Sequence, residues 1–199
     1  MLTVEQYKLH YALTDEVTPQ DEAERVVYTL IEEFANDSNS AKYREDITKL
    51  MVGLRPSEGK LGYDDDFEAI EVKPVNYTGH GKLDGKGSFS DFTWKRHRKY
   101  QQDGVRMLVS GFNRGKLLYI LDFPYSSIQE RVEYVLNKKL PNGDIKGTYV
   151  RTLAFHWNHW SQNTYKVVYV RPTIGDHRKC FNKKFYNILT QPTTETPNE

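Results

Sequence analysis

Asp64-Asp65-Asp66-Phe67-Glu68-Ala69-Ile70-Glu71-Val72-Lys73 runs from an acidic cluster into a short apolar strand that carries Glu71 and Lys73. Side chains alternate across a strand. Glu71 and Lys73 therefore share one face, expected to be open, while Ile70 and Val72 take the other. A carboxylate beside an ammonium, with more carboxylates just upstream, can hold Mg²⁺ against a phosphate ester. Mg²⁺ prefers hard oxygen ligands and keeps several waters, so two carboxylates and a phosphate oxygen suffice. Glu71 is one carboxylate, and the Val72 carbonyl can join it. The second comes from Asp64 or Asp66, which share a face if extended. A tight reversal near Asp66-Phe67 favours Asp64, because it returns that side chain to Glu71. Lys73 is placed to position or deprotonate a water and to offset charge in the transition state. Against this stands a plainer reading: a solvated acidic turn and an exposed surface pair.

The tripeptide acid-any-Lys alone decides little, since it recurs at Glu58-Gly59-Lys60, Asp84-Gly85-Lys86 and Asp144-Ile145-Lys146. Those three copies lie in glycine-bearing turns or loops, where side-chain direction is not fixed. Only the copy at Glu71 has an alternating apolar face, Ile70 and Val72, to anchor it.

Upstream, Thr18-Pro19 followed by Asp21, Glu22 and Glu24 predicts a helix start. Val26, Val27, Leu30, Ile31 and Phe34 recur at helical spacing and are expected to face the core. A second helix is expected over about Lys42 to Val52. Downstream, the glycine-rich stretch from Asn76 to Ser90 reads as a long exposed loop. A helical segment follows from about Ser90 to Gln102. Strands are expected over Val105 to Phe112 and Leu117 to Tyr125, joined by Asn113-Arg114-Gly115-Lys116. Ser127-Ile128-Gln129-Glu130 has the capping-box pattern of a further helix. Thr148 to Trp157 and Tyr165 to Arg171 read as two more strands. Helices and strands in that order predict a mixed α/β domain, a central β-sheet flanked by helices, over residues 1–190. Residues 191–199 read as a disordered tail.

The 199 residues carry a formal charge of +1, which hides an asymmetry. Residues 1–75 hold 8 Lys/Arg against 17 Asp/Glu, a net of −9; residues 76–199 hold 20 against 10, a net of +10. An acidic part able to hold a cation, followed by a basic part, suits a phosphate-bearing partner. The chain lacks an apolar run of the roughly 18 residues needed to span a bilayer. Its N-terminus lacks the basic-then-apolar order of a signal peptide. The single Cys180 excludes an internal disulfide and a thiolate zinc cluster, and fits a reducing cytoplasm. Neither Gly-x-Ser-x-Gly nor a Walker phosphate loop is present.

Asp64 or Asp66 followed by Glu71-Val72-Lys73 resembles the signature of the PD-(D/E)xK nuclease superfamily. The run Ile70-Glu71-Val72-Lys73-Pro74, the glycine-rich loop, Gly87-Ser88-Phe89-Ser90-Asp91-Phe92-Thr93 and Met107-Leu108-Val109-Ser110-Gly111-Phe112 are similar to type II restriction endonucleases of that superfamily. The resemblance spans roughly residues 60–130 and departs in two respects. No Pro precedes the aspartate, and the gap from Asp64 to Glu71 is shorter than is common. It implies a restriction-endonuclease-like fold and Mg²⁺-dependent, sequence-specific cleavage of double-stranded DNA. Glu71 with Asp64 or Asp66 would be the metal ligands and Lys73 the helper of the water. It also implies a homodimer on a palindromic target and a cognate DNA methyltransferase that is not a binding partner. Some members recruit a glutamate from an N-terminal helix, a part open to Glu32 or Glu33. The alternatives are a structure-specific nuclease of repair or recombination and a DNA-binding protein without catalysis.

The basic run Trp94-Lys95-Arg96-His97-Arg98-Lys99-Tyr100 places Lys95, Arg98 and Lys99 on one side of a helix, a stripe suited to phosphate contact, with Arg96 beside it. Asn76, His80, Lys82 and Lys86 on the glycine-rich loop are candidate donors to bases or phosphates. His156-Trp157-Asn158-His159-Trp160 lacks an acidic or Cys companion nearby and reads as packing or DNA contact, not as a metal site.

Overall fold

The computed structural model describes residues 2–37, 41–54 and 69–191. Asp64, Asp65 and Asp66, the first arm of the expected reversal, and residues 192–199 lie outside the described residues.

The chain is mixed α/β. Three helices come first: α1 (Val4–Leu13), α2 (Glu22–Asn36) and α3 (Ala41–Met51). Then follow β1 (Ile70–Tyr77), β2 (Gly87–Phe92) and α4 (Trp94–Gln102). The hairpin β3 (Arg106–Asn113) and β4 (Lys116–Pro124) is joined through Arg114 and Gly115, both at positive φ. A 3₁₀ turn (Tyr125–Ile128), α5 (Gln129–Lys139), β5 (Val150–Phe155) and α6 (Trp157–Trp160) come next. The last elements are β6 (Lys166–Val170), a 3₁₀ turn (Ile174–Cys180) and α7 (Lys183–Thr190).

The central sheet has the order β1-β3-β4-β6, with β1 parallel to β3 and the other two pairs antiparallel. A parallel pair needs a crossover, and α4 is part of it. Among the described residues β1 ends the sheet, a place where Pro74, without an N–H, is tolerated. One face of the sheet is covered by α1, α2 and α3, which bury Tyr11, Ala35, Tyr43 and Ile47 against Phe112, Leu117 and Ile120. The other face carries a larger core of aromatics, among them Phe89, Tyr125, Phe155 and Trp160. There β2 and β5 form a second, two-stranded antiparallel sheet. Thr48 on α3 ties to Ser110 on β3 through a buried 2.6 Å hydrogen bond.

Several expectations need correction. α1 is a helix that the sequence reading passed over, although Thr3 and Gln6 form its capping box. α2 starts at Glu22, because the Asp21 carboxylate caps it by accepting from the Glu24 N–H. Its buried face is Tyr28, Ile31 and Ala35, while Val26, Leu30 and Phe34 are exposed. Ile31 and, in part, Val27 face the core as expected, but Tyr28 and Ala35 complete the buried stripe where Val26, Leu30 and Phe34 were expected. β2 occupies part of the expected loop, and α4 begins at Trp94 behind the Thr93 cap. The Ser127 capping box does not form: a 3₁₀ turn leads into α5 with no side-chain cap. His156 to Trp160 leave the strand and form the short α6.

Candidate active site

Period-two alternation places Glu71 as expected. Ile70 and Val72 pack with Leu108 on the α3 side, partly covered by Val52 and Leu54. Glu71 and Lys73 take the opposite face. That face is not open at Glu71, which is only 3% exposed. It lies beneath α4, and its carboxylate is held from three sides. The Lys73 ammonium donates to Oε1, the Arg96 guanidinium donates to the same oxygen at 3.2 Å, and the Tyr100 hydroxyl donates to Oε2. Arg96 also donates to the Tyr100 hydroxyl oxygen, at 2.9 Å from Nε, so the two helix residues brace each other. Burial, and then the Glu71 charge, push the Tyr100 phenol well above its ordinary pKa. Tyr100 therefore keeps its proton and remains a donor to the carboxylate. Two cations against one buried anion compensate its desolvation, which an unpaired carboxylate could not bear.

Arg96 and Tyr100 stand four apart on α4 and so share a helix face. That spacing, with a strand–helix–strand crossover laying α4 over the preceding strand, was the signal that they approach Glu71. Arg96 is thereby removed from the expected phosphate stripe. Arg98 pairs with Asp144 at 3.4 Å and Lys99 with Asp103 at 2.5 Å, while Lys95 is exposed. Asp144 also accepts from the Trp94 N–H at 2.7 Å, which makes it a cap of α4.

Lys73 links Glu71 to a cleft of about 640 Å³ that runs along β1 between α3 and the β2–β5 sheet. Arg44 and Glu45 line it from α3, and Lys86, Ser88 and Ser90 from the other side. The Lys73 ammonium also lies 5.4 Å from the centre of the Phe89 ring. Asn76 and Thr78 line both this cleft and a second one of about 940 Å³, reaching His177 and Lys179. Glu32 lines the second cleft, and Glu33 is exposed on α2. The helix glutamate that shares the Lys73 cleft is instead Glu45. Glu45 lies on α3, whereas the resemblance pointed to a glutamate of an N-terminal helix, with Glu32 and Glu33 as candidates.

The donor chemistry bears on a divalent cation. Among the described residues no three His, Cys, Asp or Glu side chains group together to hold a metal. Glu71, the Val72 carbonyl and Glu45 are hard oxygen donors on or behind the cleft wall. Mg²⁺ is usually held by one or two carboxylates with substrate phosphates completing the set. These are donor types that Mg²⁺ takes, but Glu71 is buried and both its oxygens already accept from Lys73, Arg96 and Tyr100, so a cation there would take the place of the Lys73 ammonium. Asp64 and Asp66, the other metal candidates, lie outside the described residues.

The loop residues divide. Asn76 is half-buried on β1, His80 is exposed, Lys82 donates to the Lys179 carbonyl, and Lys86 enters the cleft. His156 has an acidic partner after all: its Nδ1 lies 2.8 Å from Asp84 Oδ2. The two are 72 residues apart, beyond the reach of a local motif. Its neighbour His159 accepts the His156 N–H at 2.9 Å, and Trp160 stacks on Phe123 in the core. The segment serves packing and capping. Compared with known proteins, the chain matches no family model and no curated sequence.

Proposed function

We propose that the chain is a Mg²⁺-dependent, sequence-specific endonuclease of double-stranded DNA, a restriction enzyme of type II acting as a homodimer. One observation carries this reading: a strand-borne Glu71 whose ammonium neighbour Lys73 lines a cleft, with Arg96 and Tyr100 fixing the carboxylate from the crossover helix. Hydrolysis of a phosphodiester needs an attacking water, charge relief on the phosphoryl oxygens and a leaving group that takes a proton. Mg²⁺, when bound, supplies Lewis acidity to the phosphate and lowers the pKa of a bound water. Glu71, the Val72 carbonyl and Glu45, with Asp64 or Asp66, are the residues to hold it.

Lys73 does the work on the protein side. Its ammonium ends a flexible four-carbon stem and is only half-buried, so it can exchange the Glu71 carboxylate for a phosphoryl oxygen. There it offsets the charge that builds as the phosphorus–oxygen bond to the leaving group breaks. Arg96 stays with Glu71 and keeps that carboxylate paired and oriented when Lys73 departs. Two-fold symmetry of a palindromic target matches a two-fold dimer.

Plasmid DNA incubated with the protein in Mg²⁺ or in EDTA tests the reading, with Lys73→Ala and Glu71→Gln alongside. Discrete Mg²⁺-dependent fragments, slowed at least about 10²-fold by either substitution, are expected. Cleavage confined to branched DNA would replace restriction with a structure-specific nuclease. Absence of cleavage on any DNA would leave only a binding protein.

A further inference from the structure

Building on the nucleic-acid reading above, we infer that the DNA backbone is held by a belt of lysines where the loop after β1 lies against the C-terminal segment. α4 is not that surface. Three of its four Lys and Arg side chains are engaged, Arg96 with Glu71, Arg98 with Asp144 and Lys99 with Asp103, which leaves Lys95.

The belt is built by main-chain pairing. Leu83 bridges to Phe181; the Leu83 N–H donates to the Cys180 carbonyl at 2.8 Å and the Asn182 N–H to the Leu83 carbonyl at 2.9 Å. This sets Lys82 beside Lys179, whose carbonyl accepts the Lys82 ammonium. Gly85 lies against Trp160 and Phe185, and its successor Lys86 enters the cleft that holds Lys73. Lys183 and Lys184 open α7, directly after the paired segment.

Along the paired segments a path runs from Lys86 in the cleft, through Lys82 and Lys179, to Lys183 and Lys184 at the start of α7. None of the five is in an ion pair among the described residues. The nearby Asp84 carboxylate faces His156. The first turn of α7 has no acidic residue, although the positive end of the helix dipole favours one there and disfavours lysine. Asp15, Glu32 and Asp176 share the second cleft with Lys179, but Lys183 and Lys184 add like charge beside it, and a polyanion laid along them relieves that repulsion. Their spread over a loop, a paired segment and a helix start suits a run of phosphates better than a single small anion. The path starts inside a concave cleft, where a duplex edge can enter and a flat anionic bilayer cannot.

Binding of a labelled duplex, followed by fluorescence anisotropy through a salt titration in EDTA, tests the belt without requiring cleavage. Lys179→Gln/Lys183→Gln/Lys184→Gln is expected to lower the slope of log K against log salt by about 2–3. Affinity near 0.1 M salt should fall roughly 10²-fold. Arginine at the same three positions should restore both. Lys138→Gln/Lys139→Gln/Lys146→Gln removes the same charge elsewhere and should leave the slope unchanged. An unchanged slope in the belt variant, an equal loss in both variants, or a parent protein that binds anionic vesicles but not duplex would overturn the belt. A parent that binds through the belt yet never cuts with Mg²⁺ would refute the nuclease and leave the belt standing.

Discussion

Glu71 meets its partners over very different distances along the chain, and this decided what could be read in advance. Its pairing with Lys73 follows from the two-residue period of a strand and was legible from ten residues. Arg96 and Tyr100 lie 25 and 29 residues away and reach Glu71 only through the crossover that lays α4 over β1. Tyr100 is the more exposing test of that arrangement. Tyr100→Phe leaves Glu71 and Arg96 each one partner short in a buried setting. A loss of about 1–3 kcal/mol in urea-melt stability is expected. A change within error would mean that Tyr100 does not brace the carboxylate. His97, next to Arg96, gives a pH signature of its own. It is 2% exposed, and burial holds its pKa below the ordinary histidine value despite Glu133 at 3.2 Å from Nε2. Above about pH 6.5 both folded and unfolded forms are neutral. As pH falls below that value, the unfolded chain takes up a proton that the folded chain refuses, so stability drops until the lowered folded pKa is reached. His97→Gln should flatten this part of the stability–pH curve; an unchanged slope would show that another group is responsible.

At the scale of elements, the hairpin β3–β4, α3 and the strand at Glu71 were legible because each carries a local period or a turn signal. The losses share one cause: packing against distant chain overrode local pattern. Tyr28 and Ala35 join Ile31 in burying α2 while Val26 and Leu30 stay exposed, and β2 exists because β5, some 60 residues later, pairs with it. The glycine-rich stretch looked free for the same reason. Its Leu83 is 1% exposed, and Gly85 combines a φ of +64° with near contact to two rings. A Cβ there would lie 2.5 Å from Trp160 and 2.7 Å from Phe185. Gly85→Ala should therefore cost about 1–3 kcal/mol in thermal or denaturant melts, through overpacking and an unfavourable backbone region together. Wild-type stability in that variant would mean that the loop yields freely.

For the whole molecule, Arg171 plays the part of a keystone between its two ends. It is 1% exposed, donates from Nη1 to the carbonyls of Ala12 and Leu117 at 3.0 and 3.1 Å, and reaches Asp15 at 3.0 Å from Nε. That guanidinium holds the Asp15 carboxyl below the usual carboxylate range. Arg171→Ala strands two buried carbonyls, and a loss of about 1–3 kcal/mol is expected from chemical denaturation. A loss under about 1 kcal/mol would show that α1 is anchored elsewhere. The Leu83–Phe181 bridge carries a consequence in time as well as in space. A ribosome delivers β1, Glu71, Lys73 and α4 within the first half of the chain, but the partner of Leu83 emerges roughly a hundred residues later. The seat of the loop after β1 is therefore still missing while β1 and α4 are already out, since domains fold as their segments become available. If the proposed lysine belt binds DNA, a nascent chain would lack that grip until synthesis has passed α7.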